Sequence, residues 1–225
     1  MHAADSYPHA TPLTAEMRER DHHVLDREAE HLQGQYPEVA DVATVRRILQ
    51  EAYEDLARTT ANPSMLAAVS VHEATGRLRA VGLRQGSIES RHPRVLFVCH
   101  GNAGRSQMAA ALLENRSQGT IRARSAGTNP AGHVLSSAVD AMAEIGVPLH
   151  HAVPKPLDED IVAASEIIVV FSGAQEPDWP AGPEIRHWPV PTLRGLSSQQ
   201  AAAVRDDVDL RVRELIHELS PSSEG

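Results

Sequence analysis

The apolar positions along the chain fall into two regimes. From Thr14 to about residue 80 they recur with helical spacing, and beyond Arg94 they gather into short runs that alternate with helical stretches. The first helical pattern begins near Thr14, carries Met17, Val24, Leu25 and Leu32, and fades at Gly34 and Pro37. The second is sharper: Val42, Val45, Ile48, Leu49, Ala52, Tyr53 and Leu56 follow the three-and-four spacing of one helix face. Asn62 followed by Pro63 reads as an N-cap with proline in the first turn, opening a third helix through about Arg79. Three amphipathic helices with short connections predict a small antiparallel bundle. Residues 1–13 show no periodicity and are expected to form a flexible tail. The bundle is then 14–81, and the polar, punctuated GLRQGSIESRHP at 82–93 is expected to be a linker.

From 94 to 225 the pattern is different. VLFV (95–98) reads as a short buried strand, and 105–116 is alanine-rich and helical. IRARSAG (121–127) alternates like a strand, and 133–145 is helical, with Val134, Leu135, Ala138, Met142 and Ile145 on one side. EIIVVF (166–171) is continuously apolar, as a strand buried on both faces must be, and EIRHW (184–188) is a fourth strand. A last helix opens near Ser198, where Ser197 and Gln200 fit a capping box, and Val204, Val208, Val212, Leu215 and Leu219 form its stripe. Strands alternating with helices predict an α/β fold: a four-stranded parallel sheet flanked by helices, preceded by the small three-helix bundle. Ligands of such sheets bind at the carboxyl ends of the strands, which is where Cys99 falls.

Composition narrows the partners. Over 225 residues the formal net charge is −9, which argues against nonspecific nucleic-acid or anionic-membrane binding but leaves room for a local anion site. No apolar run approaches the roughly 20 residues of a membrane helix, and the N-terminus lacks the apolar core of a signal peptide. A cytoplasmic protein is the expectation. Aromatic residues are only 3% of the chain, so aliphatic and alanine packing must dominate the core. A single cysteine excludes an intramolecular disulfide and an all-thiolate metal site.

That cysteine carries the chemistry. Between a strand ending at Val98 and a helix starting near Arg105 lies a short turn, His100-Gly101-Asn102-Ala103-Gly104. Its small residues let the backbone curl with amides pointing inward, and a curled run of amides binds anions. The following helix N-terminus adds free donors and a positive partial charge. Arg105 can set a planar fork on two oxygens of a tetrahedral oxyanion. Cys99 sits in the same field, where a thiolate, itself an anion, is stabilised. A thiolate facing a cradled oxyanion is an in-line nucleophile.

The stretch resembles the low-molecular-weight protein tyrosine phosphatase family, which includes a branch of arsenate reductases with the same fold. The pattern Cys-x5-Arg-Ser is intact at 99–106, and Ser125-Ala126-Gly127-Thr128 matches the SAGT strand end of that family. The resemblance covers roughly residues 93–220. It implies that Cys99 is the nucleophile and that Arg105 and the turn His100–Gly104 hold the oxyanion. It further implies that Asn102 braces the loop, Ser106 hydrogen-bonds the thiolate and Ser125 supports the loop. Cys-His-Gly-Asn is similar to the phosphatases, whereas Asn-Ala-Gly-Arg-Ser-Gln-Met-Ala (102–109) is similar to the arsenate reductases. The longer match places the chain nearer the reductases.

Two departures qualify the likeness. Where the family carries an Asp-Pro pair as general acid, this chain reads His187-Trp188-Pro189-Val190-Pro191-Thr192-Leu193, with Thr192 at the expected Asp position. A threonine hydroxyl is no acid near neutral pH; Asp178, Asp158 and His187 are the other titratable candidates. General acid help is worth about 10²–10⁴-fold in rate, so the change bears on function. Some reductases of this fold relay a disulfide through two more cysteines, a route closed here. The resemblance to single-cysteine, actinobacterial-type arsenate reductases with an N-terminal helical domain implies a thiol–arsenate adduct on Cys99. An external thiol, mycothiol or thioredoxin, would resolve it, with no bound cofactor. The alternatives are a phosphotyrosine or phosphomonoester phosphatase, and an oxyanion-binding homologue with weak or no catalysis.

Thirteen histidines invite a metal reading. His23 and His31, with His22 on the same predicted helix, are about two turns apart, too far for one ion without partners from other helices; His150-His151 form a pair, and solvated or core-edge histidines are expected rather than a metal site. Asp26, Glu28 and Glu30 read as an exposed helix face. The residues of the bundle leave its role open between partner recognition, dimerisation and stabilisation.

Overall fold

The structure is a computed structural model that describes residues 11–60, 62–149 and 152–220. Side chains that satisfy orphan amides set the starts of several helices. Thr14 caps α1 (Ala15–Gln35), and Asp41 caps α2 (Val42–Ala57) by accepting from Thr44 N at 2.8 Å. Asn62 makes no side-chain cap; Pro63 instead opens a three-residue 3₁₀ turn, Pro63–Met65, that leads into α3 (Leu66–Gln85). The capping box expected at Ser197 and Gln200 opens α7 (Ser198–Leu219).

Helix α3 runs past Gly82 into the stretch expected to be a linker. A Cβ at Gly82 would press on Ile88 and Val39, so glycine there admits a close contact. The helix stops instead at Gly86, which takes the left-handed φ of 74° while Ser87 N and Ile88 N turn back to the Gly82 carbonyl. Ahead of α1, Thr11 N donates to Thr60 O and Leu13 packs on the bundle core, which ties residues 11–13 of the expected tail to the helices. Residues 1–10 of that tail lie outside the described residues.

The second half supplies β1 (Arg94–Cys99), α4 (Arg105–Arg116), β2 (Arg122–Gly127), α5 (Ser136–Ala143), α6 (Glu159–Ala164), β3 (Ile167–Phe171) and β4 (Glu184–Trp188) before α7. The four strands form one parallel sheet in the order β2-β1-β3-β4. α6 has six residues, too few to show periodicity, and Asp158 caps it. α5 starts later than the apolar spacing predicts because Ala131 and Leu135 hold the Cys99 turn through their backbone amides.

Each sheet face has its own core. Val95, Phe97, Val169 and Phe171 pack beneath α4, α5 and α7, while Leu96, Val98, Ile168 and Val170 face α6 and Ala80 of α3. Ala74 and Leu78 of the same α3 enter the core shared with α1 and α2. Helix α3 therefore belongs to both bodies. Its Arg77 makes buried ion pairs with Asp55 of α2 at 2.8 Å and Asp158 of α6 at 2.9 Å.

Inside the bundle, Tyr53 is fully buried and its hydroxyl donates to the buried Asp21 at 3.2 Å. Burial first, and then the Asp21 charge, push the Tyr53 pKa up to about 12 from 10.0. The folded state thus keeps a proton that the unfolded chain releases earlier. Its contribution is complete below pH about 10 and disappears as pH rises through about 12. Urea unfolding across that window should show a fall of roughly 2 kcal/mol in the wild type that Tyr53→Phe lacks. Parallel curves for the two proteins would refute the assignment.

Candidate active site

β1 lies between β2 and β3, so its carboxyl end is the point from which the chain departs to either side of the sheet. Cys99 ends that strand, 3% exposed, and the turn 100–104 leads into α4. The segment after β2 fixes the carbonyls of the turn. Thr128 N donates to Cys99 O, Asn129 N to His100 O, Ala131 N to Gly101 O and Leu135 N to Ala103 O, at 2.8–3.1 Å. Among the described residues, none of the amides from His100 to Gly104 donates to a protein acceptor. Helix α4 begins at Arg105 without a side-chain cap, so the positive end of its dipole lies at the turn.

Asn102 is the brace of the turn. Its φ of 48° lies in the left-handed region, which asparagine enters more readily than most residues. Lys155 N, which can only donate, reaches Asn102 Oδ1 at 2.9 Å, and Gln107 Nε2 donates to the same oxygen at 2.9 Å. The other side-chain atom is then the amide nitrogen, and it donates to Ser106 Oγ at 2.9 Å. With Ser106 Oγ accepting there, its own proton can point to Cys99 Sγ, 2.9 Å away. A serine that donates to the sulfur suits a thiolate at that position.

Arg105, 6% exposed, crosses to the far strands. Its Nη1 donates to Ser172 O at 2.9 Å and Val190 O at 2.8 Å, and its guanidinium carbon lies 5.6 Å from the Phe171 ring centre. These contacts after β3 and β4 fix the plane of the fork. Leu193, buried, packs on Gly104, where any Cβ would collide with it. The segment around Thr192 is therefore held against the turn. Thr192 itself is exposed, and its Oγ1 accepts from Arg194 N at 3.4 Å.

The residues singled out in the sequence fall unevenly. Cys99, His100, Gly101, Asn102, Ala103, Gly104, Arg105 and Ser106 form one contiguous turn and helix start. Ser125 is buried but makes no side-chain hydrogen bond to the turn among the described residues, and it faces a cavity beside β2. Its neighbour Gly127 supports the turn instead: a Cβ there would lie 2.9 Å from both Asn102 N and His100 O. Asp158 caps α6 and pairs with Arg77, and His187 pairs with Glu176 at 2.9 Å. Asp178 is exposed, and none of the three makes a hydrogen bond to Cys99. Gln107, which also donates to Asn102 O and Val153 O, had no role assigned from the sequence, nor had Asn129, 3.3 Å from His100 Nε2. The signal for Gln107 was its place within the matching run 102–109.

His22 stacks edge-on against Tyr53 and His31 bonds Gln35, while His150 and His151 lie outside the described residues. Among the described residues no three His, Cys, Asp or Glu side chains gather as metal ligands, and no helix is long and apolar enough to cross a membrane.

With this geometry in hand, the comparisons with known proteins decide the family. Residues 94–222 match the low molecular weight phosphotyrosine protein phosphatase family. The chain belongs to that family. Residues 25–82 match a protein-tyrosine-phosphatase-like N-terminal domain. The solved Corynebacterium glutamicum thioredoxin-dependent arsenate reductase Cg_ArsC1' is 31% identical, with a TM-score of 0.75 over 88% of this chain and 96% of its own. Arsenate reductase 1 of Staphylococcus epidermidis is 28% identical over 126 residues, 55% of this chain and 95% of that protein. An arsenate reductase solved in a phosphate-binding state is 26% identical, with a TM-score of 0.52 over 57% of this chain and 99% of its own. The likeness to the corynebacterial protein extends beyond the sheet domain into the N-terminal helices, since the phosphatase-family match alone spans only 94–222.

In this family member the close approach at Gly127 gives a direct test of the turn. Gly127→Ala should displace Asn102 and His100 and abolish phosphate protection of Cys99 against iodoacetamide. The shift in thermal unfolding should stay within what roughly 1–3 kcal/mol of overpacking produces. Unchanged protection in the folded variant would show that the turn does not depend on that contact.

Proposed function

We propose that the protein is an arsenate reductase whose single thiol is recycled by an external one. The observation that carries this reading is the turn itself: amides with no protein acceptor among the described residues, followed by Arg105, and a sulfur 2.9 Å from Ser106 Oγ, in a chain with one cysteine. The likeness to a thioredoxin-dependent arsenate reductase over 88% of the chain supports it.

In this reading the amides of His100–Gly104 and Arg105 bind arsenate, and the Cys99 thiolate attacks arsenic. An As–O bond breaks, the departing oxygen leaves as water, and a Cys99 S–As(V) adduct forms. An external thiolate then attacks Cys99 Sγ. The S–As bond breaks with its electron pair going to arsenic, so As(V) is reduced to As(III) and arsenite leaves. Cys99 remains in a mixed disulfide. A second thiol, the partner cysteine of a thioredoxin-type dithiol or a second small thiol such as mycothiol, attacks the reductant's sulfur and frees Cys99.

Thr192 favours arsenate over a phosphoester in this scheme. The Leu193 contact with Gly104 supports the alignment that places Thr192 where the family carries its acid. A phosphoester needs a proton delivered to its leaving oxygen, whereas arsenate near neutral pH is itself protonated and can lose that oxygen as water with less help. Loss of a side-chain acid then weighs on phosphatase activity more than on arsenate reduction.

With thioredoxin, thioredoxin reductase and NADPH, or with mycothiol, arsenate should drive reductant consumption that Cys99→Ser abolishes. Arsenate-independent hydrolysis of an aryl phosphate, with no reductant consumed, would replace this reading by the phosphatase. Silence in both assays, with phosphate still protecting Cys99, would leave only an oxyanion binder. Thr192→Asp should raise aryl phosphate turnover by roughly 10²-fold or more. No gain in a folded variant would break the alignment of Thr192 with the family's acid.

A further inference from the structure

β2 is an edge strand: β1 pairs along one side, and among the described residues the other carries only the bridge from Gly127 to Pro156. Beside that edge a cavity of about 670 Å³ opens between α3, β2, α4 and the stretch before Pro156, a volume within the range of small-molecule sites. Five cations line it: Arg79 from α3, Arg94 from β1, Arg122 and Arg124 from β2, and Lys155 from the stretch before α6. Arg124 reaches across α3 only because residue 76 is glycine, since a Cβ there would collide with its guanidinium.

Arg94 is paired with Glu166 at 2.7 Å, and the other four make at most long ion pairs. Among the described residues Arg79 and Arg122 have no ion-pair partner. Lys155 Nζ and Arg124 Nη1 lie 3.5 and 3.9 Å from one oxygen of Glu73, which is 2% exposed and has no hydrogen-bond partner at that oxygen. Burial alone would raise the Glu73 pKa, but Lys155, Arg124, Arg77 and His72 lower it, so Glu73 holds the two cations in place as an anion. Glu114 is the one carboxylate that lines the cavity itself. The rest of the lining includes the apolar Val69, Ala110, Ala111 and Leu149. In a chain of net charge −9, four cations that converge on a half-apolar cavity call for a multiply charged anion with an organic body.

We propose that this cavity binds a small organic phosphate of nucleotide size, with the phosphates on Arg79, Arg122, Arg124 and Lys155 and the body against Ala110 and Ala111. The site is separate from the Cys99 turn, none of whose residues from Cys99 to Arg105 lines it.

Isothermal titration with ADP, inorganic pyrophosphate and adenosine tests the assignment. ADP should bind the full chain, and adenosine should not. Arg105→Met, which disables the Cys99 turn, separates the two anion sites. ADP binding that survives Arg105→Met, and that weakens roughly tenfold in Arg122→Gln or Arg124→Gln, supports the proposal. Arg79→Ser, at a half-exposed cation with no ion pair, repeats the test where Arg124→Gln fails to fold. Ala111→Leu should weaken ADP by narrowing the cavity without a change in charge. Absence of ADP binding by the wild type, or binding lost in Arg105→Met and indifferent to Arg79, Arg122 and Arg124, overturns it. Pyrophosphate that binds as tightly as ADP and ignores Ala111→Leu overturns the organic body.

Discussion

A strand-to-helix turn left to itself closes local hydrogen bonds and consumes its own amides. The turn after Cys99 does not, because residues 128–135 bind four of its carbonyls from outside and Asn102 fastens its middle. Orienting the carbonyls outward leaves the amides of His100–Gly104 with no acceptor in the described protein. Left-handed backbone at a non-glycine residue is unfavourable, and here three hydrogen bonds of the Asn102 side chain offset it. Arg105 and Ser106 then follow from helix α4, which the turn aims at the sulfur. Anion binding and nucleophile share one support.

That support reaches further than the sheet domain. The Lys155 backbone holds Asn102 while its side chain lies near Glu73 of α3, and Gln107 touches both Asn102 and the cavity beneath α3. Helix α3 itself is buried on two sides, by the bundle through Ala74 and Leu78 and by the sheet through Ala80. The buried Arg77, paired with Asp55 and Asp158, joins α2, α3 and α6. Breaking such a pair leaves an uncompensated charge in the interior, which costs about 3–5 kcal/mol, so the helices and the sheet are coupled by more than a tether.

What the sequence disclosed tracks how local each determinant is. The four strands and the helices α1, α2, α4 and α7 were legible because their apolar spacing or runs are long, and their ends carry caps such as Asp41 and Ser197. The turn was legible because glycines, a cysteine and an arginine sit within a few residues of one another. The end of α3 was misplaced because Gly82 looks like a break, and only the distant Ile88 and Val39 explain a glycine inside the helix. α6 escaped notice for lack of length. The role of Gly127 depends on contacts with Asn102 and His100, more than twenty positions away, which spacing does not encode. The cationic cavity was invisible for the same reason: Arg79, Arg122 and Lys155 are far apart in the chain and meet only through the fold.

The same burial that shapes the turn constrains how a reductant reaches it. Displacement at a sulfur requires the incoming thiolate to approach opposite the bond that breaks. Cys99 is only 3% exposed, in a core shared with Phe97 and Met108, and Ser106 Oγ lies 2.9 Å from its sulfur. A sulfur so buried leaves an external thiol little room while the turn holds its shape. On the proposed mechanism the adduct must therefore leave the cradle before it is reduced, either by rotation of the Cys99 side chain or by release of the turn. Polar contacts centred on Asn102 and the backbone of 128–135 hold the turn together with Leu193 packed on Gly104, so such release breaks hydrogen bonds and an apolar contact. Adduct formation favours the closed turn and reduction the open one, which makes the Asn102 hydrogen bonds a determinant of both steps.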